Sequence, residues 1–369
     1  MIREFHINGF RAFSQFFMRG LGRINLLVGG NNSGKSSVLE AIQLLASQGD
    51  PHSLWFTMSR RGERIWDDTD SRPAYEADVR HLFFGHELYV GNSFRIKQFG
   101  DAGPEMVEVV MTEAGLNEDA HQTHFEFSGS EAPSSPLALH MNWHGIGPTR
   151  DAVLPVSRKG GLSVDAFRKS FRPQSSRTPL QLITTASLSP MEVVSLLDDV
   201  MLTPDEDRII EALRTIEPTI ERIATAGFSR RRVIDTERGG VVVKCSNNPH
   251  RIPIGSMGDG IWRMLGLALA LVRSENGILL VDEIDTGLHY SVMEDMWRLL
   301  FSTAQRLNVQ VFATTHSRDC YESLAVIAHS DVSDSRNVTI QRIEREKHLA
   351  VAFSEKEIVV AAQRGLEVR

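Results

Sequence analysis

A chain of 369 residues with a formal charge of −7 can bury a large core and carries no global basic field that would draw it to nucleic acid. Its two cysteines, Cys245 and Cys320, argue against a disulfide framework and fit a reducing, cytoplasmic setting. The opening MIREFHINGF lacks the apolar core of a signal peptide, and the longest apolar stretch, residues 264–272, falls well short of the roughly 18 apolar residues a membrane helix needs, so no membrane partner is expected.

In chain order, the first informative element is RINLLV, a short apolar run that reads as a buried strand and leads into GGNNSGKS. That stretch fits G-x-x-x-x-G-K-[ST], with Gly29, Gly34, Lys35 and Ser36 at the fixed positions. The glycines let successive backbone N–H groups turn inward around phosphate oxygens, which brings Asn31, Asn32, Ser33 and Ser37 into the candidate nucleotide site. Lys35 reaches the β and γ phosphates, and the Ser36 hydroxyl is a candidate Mg²⁺ ligand. The following SVLEAIQLL places Val38, Leu39, Ile42 and Leu45 on one helical face, so the phosphate sits at a helix N-terminus, where orphan N–H groups and the dipole favour an anion.

Residues 49–180 scatter proline and glycine through SGSEAPSSP and GIGPTR, and pieces such as VEVVM and HFEFSG predict a β-rich insertion or lid. Trp55 and Trp66 stand among basic residues; a packed lid with a solvated rim is preferred there over a nucleic-acid contact. HQTH at 121–124 lacks third and fourth ligands and carries no metal site. Residues 181–227 predict a helical lobe, in which SPMEVVSLLDDVMLTPDEDRIIEALRTIEPTIERI reads as short helices. Thr203 and Glu206 form the expected capping box with Pro204 at the first helical position, and Ile209, Ile210, Leu213 and Ile216 share a face until Pro218 breaks it. SRRRVIDTERGGVVVKC reads as a hairpin turning near Gly239 and Gly240; its arginines at 230–232 blunt an exposed strand edge, a reading preferred over contact with DNA phosphates.

Residues 228–335 supply a second half of the site, followed by a β/α tail at 336–369. Ser256, Gly258 and Gly260 offer backbone donors at the start of an all-round apolar helix, a second small anion site. One chain cannot easily use two such sites on one nucleotide, whereas two copies facing each other can. In NGILLVDEIDTGLH, the residues from Ile278 to Val281 read as a buried strand ending in Asp282, placed to hold Mg²⁺ through water, and Glu283, placed to orient and polarise the attacking water. VQVFATTHS is another buried strand, beside the Asp282 strand, and brings His316 toward the γ-phosphate.

This set of motifs resembles the ABC-type ATPases, and within them the RecF, SMC and OLD-like group. GGNNSGKSS is similar to their Walker A, ILLVDE to Walker B, IDTGLH to the D-loop with Asp285 facing nucleotide, and TTHS to the switch histidine. GSMGDG stands in the place of LSGGQ and departs from it, with Gly255 for Leu and Met257 for the first Gly. FHINGFRAFSQF resembles the short strand that opens that group. SMGDGIWRMLGLALAL, GLHYSVMEDMWRLLF and LNVQVFATTHS resemble stand-alone prokaryotic AAA-type ATP-binding proteins related to the OLD-family ATPase half, many of them encoded in anti-phage systems. The resemblance covers residues 1–48 and about 180–369.

It implies an α/β fold, a P-loop NTPase of ABC-ATPase type with a mixed β-sheet and flanking helices. It also implies ATP and Mg²⁺ as cofactors, a homodimer or higher homo-oligomer closed around ATP, and control of a separately encoded effector such as a nuclease or toxin. FSEKEIVVAAQRGLEVR offers no acidic cluster like that of the Toprim domain in OLD nucleases. The Q-loop is not placed: Gln43 follows the cradle too soon, and Gln174 and Gln181 are guesses. A RecF-like DNA-engaging ATPase and a nucleotide-gated scaffold with slow hydrolysis stand as alternatives.

Overall fold

The structure, a computed structural model, describes residues 1–67, 74–113, 137–157, 159–170, 178–226, 240–330 and 338–365. HFEFSG, HQTH, Gln174 and the arginines at 230–232 lie outside the described residues. Among those described, no helix is long and apolar enough to cross a membrane.

Six strands form the central sheet, in the order Leu180–Ile183, Ile278–Val281, Gln310–Thr314, Ile24–Val28, Val338–Arg342, Val351–Phe353. Every neighbouring pair is parallel except the last, which is antiparallel. The three strands Ile24–Val28, Ile278–Val281 and Gln310–Thr314 are buried at every residue. Parallel strands covered on both faces read in this way, as unbroken apolar runs rather than as alternation. Their C-terminal ends point to one edge, so Val28, Val281 and Thr314 deliver the cradle, Asp282 and His316 to the same crevice. Ligands bind in that position in open parallel sheets.

The second large sheet is antiparallel throughout: Phe13–Arg19, Ile2–Phe10, Ser93–Gly100, Gly103–Glu113, Leu137–His144, Arg150–Val156. The β-rich segment after residue 48 therefore continues the sheet begun at the N-terminus, with Ile7 opposite Ile96 and Asn8 opposite Arg95. The helix Lys35–Ala46 lies between the two sheets. Val38, Leu39, Ile42 and Leu45 are all buried, in one core with Ile96, Val107 and Met141 of the antiparallel sheet and Leu280 and Phe312 of the parallel one.

In the lobe, helices Pro190–Val200 and Pro204–Arg214 pack with the buried helix Asp259–Arg273, whose residues from Ile261 to Leu271 are all buried. Three expectations change here. Residues 181–183 belong to the central sheet, since Leu180–Ile183 pairs in parallel with Ile278–Val281. The capping box forms at Ser189 and Glu192 instead of at Thr203 and Glu206. Leu202 sits in the left-handed region (φ 64°), so the Glu206 carboxylate accepts from Leu202 N (2.8 Å), while Thr203 Oγ1 accepts from Asp205 N. Val241–Cys245 pairs with Arg251–Pro253 on one side and with Ile220–Thr225, a segment read as helical, on the other; past Pro218 the chain extends, with Ile220 opposite Cys245 and Thr225 opposite Val241.

Candidate functional site

The cradle is built by backbone that only particular residues adopt. Gly29 (φ 146°) passes so close to the turn after Arg342 that a Cβ would lie 2.3 Å from Ile343 O, and at Gly34 (φ 100°) a Cβ would lie 2.4 Å from Phe13 Cζ. Asn32 adopts the left-handed region at φ 58°, which asparagine tolerates better than most residues. Gly34→Ala is expected to cost about 1–3 kcal/mol from backbone strain alone, with the Phe13 contact adding to it. A thermal melt showing an unchanged midpoint would contradict this geometry.

Lys35 is 6% exposed and folds back into its own loop, donating from Nζ to Gly29 O (2.9 Å) and Gly30 O (2.8 Å), with Ser33 Oγ at 3.5 Å. Burial lowers its pKa, and the nearby Asp282 and Glu283 carboxylates work in the opposite direction. Ser36 Oγ donates toward Asp282, 3.3 and 3.4 Å from its two carboxylate oxygens. Thr314 Oγ1 donates to Asp282 Oδ1 at 2.7 Å and accepts from Glu283 N at 2.8 Å, so one hydroxyl at a strand end orients both acids. Glu283 itself is strained, at φ 46°, and its carboxylate accepts from Thr286 Oγ1 at 3.3 Å.

Arg263, absent from the sequence reading, holds that turn from beneath. Its guanidinium donates to Thr184 O (2.5 Å), Asp282 O (2.9 Å) and Glu283 O (2.8 Å), and the residue is 3% exposed. Burial pushes its pKa down to about 10, countered by Asp285, Asp282 and Glu283, which leaves it cationic at neutral pH. The signal was present in the sequence: a single arginine inside IWRMLGLALALV must be paired if the helix is buried.

A cavity of about 790 Å³ spans the cradle, lined by residues 31–37, Asp282, Glu283, Thr314 and His316. Gly29 shapes the loop beneath it and holds Lys35. Asp285 does not line this cavity; its carboxylate accepts from Thr315 Oγ1 at 2.6 Å, tying it to the strand end that carries His316. Ser256 and Gly258 are exposed and lie outside the cavity lining.

Arg11, Arg61 and Glu63 also line this cavity, as parts of an ion-pair network that sequence reading missed. Arg11 lies 2.7 Å from Glu40 and 2.6 Å from Glu63, and Arg61 lies 2.6 Å from Glu40 and 3.5 Å from Ser37 Oγ. Burial raises the Glu40 pKa, opposed by Arg11 and Arg61; burial also disfavours the Arg61 charge, but Glu40 outweighs it and the Arg61 pKa rises. Arg61 ends the helix Pro51–Arg61, on which Trp55 packs against Phe167 with ring centroids 4.8 Å apart.

Residues 1–115 and 179–320 match the family described as AAA ATPase domain. A Helicobacter pylori protein described as an ATP/GTP phosphatase is 21% identical over 348 residues, covering 88% of this chain and 87% of the relative. An uncharacterised Methanocaldococcus jannaschii protein is 33% identical over 86 residues, 23% of this chain and 75% of that one. The crystal structure of an SMC head bound to the C-winged helix domain of ScpA aligns over 96% of this chain and 98% of its own, with 14% identity and a TM-score of 0.48. The SMC head domain from Thermotoga maritima does so with 12% identity and a TM-score of 0.43. The family match takes in the cradle, Arg263, both acids and His316, and extends over more than half of the chain: this protein belongs to the AAA ATPase domain family, and its activity is that of an ATPase.

Proposed function

We propose that the protein hydrolyses ATP with Mg²⁺ at the cradle, in an assembly where two copies close around the nucleotide. The observation that carries the reading is the approach of Ser36 Oγ to both Asp282 oxygens, 3.3 and 3.4 Å, at the mouth of a helix N-terminus. One hydroxyl and one carboxylate suit a cation that keeps several waters and takes its remaining ligands from phosphate. Mg²⁺, when bound, supplies positive charge against the β and γ phosphates. Lys35 exchanges the carbonyls of Gly29 and Gly30 for phosphate oxygens. Glu283 orients the attacking water, and His316 stabilises charge developing on the γ-phosphate. The Helicobacter pylori relative's description as an ATP/GTP phosphatase supports this chemistry.

The two-copy reading is supported by a loop that stands outside the cradle's own cavity. Ser256 and Gly258 are exposed and lie just before the helix Asp259–Arg273, whose N-terminal dipole favours an anion from outside. Asp285, held by Thr315, is the residue through which one site senses its mate. The resemblance of SMGDGIWRMLGLALAL and LNVQVFATTHS to OLD-related ATP-binding proteins supports a role in prokaryotic anti-phage defence, with the ATP cycle controlling a separately encoded nuclease or toxin.

Light scattering on the Glu283→Gln variant tests the assembly: Mg²⁺-ATP is expected to double the solution mass, and EDTA to reverse it. An unchanged mass with ATP demonstrably bound would overturn the two-copy reading.

A further inference from the structure

We propose that the rim formed by His81, Phe84 and His86 holds the base of the nucleotide, with the base stacked on the Phe84 ring. The inference rests on the cradle as the triphosphate site and names the other end of the same ligand. The cavity is lined by more than the cradle: Arg11, His81, Phe84 and His86 line it too. At about 790 Å³ it lies in the upper part of the range of about 300–1,000 Å³ usual for small-molecule sites.

Two adjacent phenylalanines divide the work. Phe83 is fully buried, 5.6 Å from Phe94 between ring centroids, and anchors the segment to the antiparallel sheet. Phe84 is 49% exposed and forms part of the cavity lining. Half-exposed apolar rings are ordinary on a protein surface, but one lining the same cavity as a phosphate cradle offers the flat apolar face a base can cover. Gly85 next to it meets no heavy atom within 4 Å of a would-be Cβ, which leaves the approach clear.

The rim is set in place. Arg11 N donates to Leu82 O at 2.9 Å, Arg11 Nη1 donates to His81 O at 3.3 Å, and Phe10 bridges to Phe83. His86 is held at φ 58°, a strained conformation for a non-glycine residue, with its N–H on Phe83 O at 3.2 Å and its ring edge-on to His81 at 5.1 Å. The same strand turn that carries Arg11 also carries Phe13, whose ring lies against Gly34 of the cradle. One short turn thus touches both rim and cradle.

Titration calorimetry on the full chain with ATP, GTP and inorganic tripolyphosphate, each with Mg²⁺, tests the assignment. Stacking reads a face that every base has, so Phe84→Ala is expected to weaken ATP and GTP alike, by about 5- to 100-fold, and to leave tripolyphosphate within about two-fold. Phe84→Trp is expected to bind ATP at least as tightly as the parent. ATP affinity unchanged in Phe84→Ala would overturn the proposal. Loss of tripolyphosphate in step with ATP would also overturn it, making Phe84 a support for the cradle. Equal tripolyphosphate binding by the parent and Lys35→Ala would instead remove the cradle reading, and with it this one.

Discussion

Glu283→Gln is expected to lower ATP turnover by about 10²–10⁴-fold while leaving ATP affinity nearly unchanged. The amide keeps the side chain's size and its bond from Thr286, so the strained turn at φ 46° survives, but it can no longer draw a proton from water. Asp282, which faces Ser36, still holds its place through Thr314. Single-turnover hydrolysis, read beside equilibrium ATP binding, separates the two effects. Turnover near the parent's would transfer the water-activating role away from Glu283 and leave His316 as the nearest alternative.

The second large effect belongs to Arg263. Arg263→Met fills a similar volume but leaves three carbonyl oxygens, of Thr184, Asp282 and Glu283, without their donor. Buried polar groups stripped of their partners cost about 1–3 kcal/mol each, and relaxation recovers part of that, so a loss of about 3–5 kcal/mol is expected in denaturant midpoints. Arg263→Lys restores the charge without the planar fork. That variant is expected to fold, to bind ATP with little change in KM, and to lose most of its kcat, because the acid-bearing turn no longer has a rigid floor. A kcat equal to the parent's in folded Arg263→Lys would show that the guanidinium stabilises the helix without positioning the acids.

How much of this was legible follows from how local each signal is. The cradle, its strand and its helix occupy residues 24–46 without interruption, and the glycines, the lysine and the apolar face can each be read from neighbours in sequence. The strands ending at Val281 and Thr314 show equally well, since full burial leaves an unbroken apolar run. The pairing of Ile2–Phe10 with Ser93–Gly100 is different. Antiparallel partners so far apart in sequence leave no local mark, so the N-terminal strands and the later β-rich segment read as separate bodies.

The network of Arg11, Glu40, Arg61 and Glu63 was hidden for the same reason, each charge looking like solvated surface by itself. The capping box was misplaced for a subtler one. Ser189 and Thr203 both precede a proline and stand three residues before a glutamate, and only the left-handed Leu202 diverts Glu206 from the reciprocal bond. Arg263 is legible in principle, because one charge inside a helix apolar all round demands a buried partner, but its partners are carbonyls far away in sequence.

The order of the central sheet sets a timetable for synthesis. The strand that carries the cradle, Ile24–Val28, lies between Gln310–Thr314 and Val338–Arg342, so both of its neighbours leave the ribosome long after it does. At about 5–20 residues per second the wait is roughly 15–60 s. For that time INLLV is a bare apolar segment with two unsatisfied edges, a natural client for a holding chaperone, and the nascent N-terminal half cannot yet grip a nucleotide.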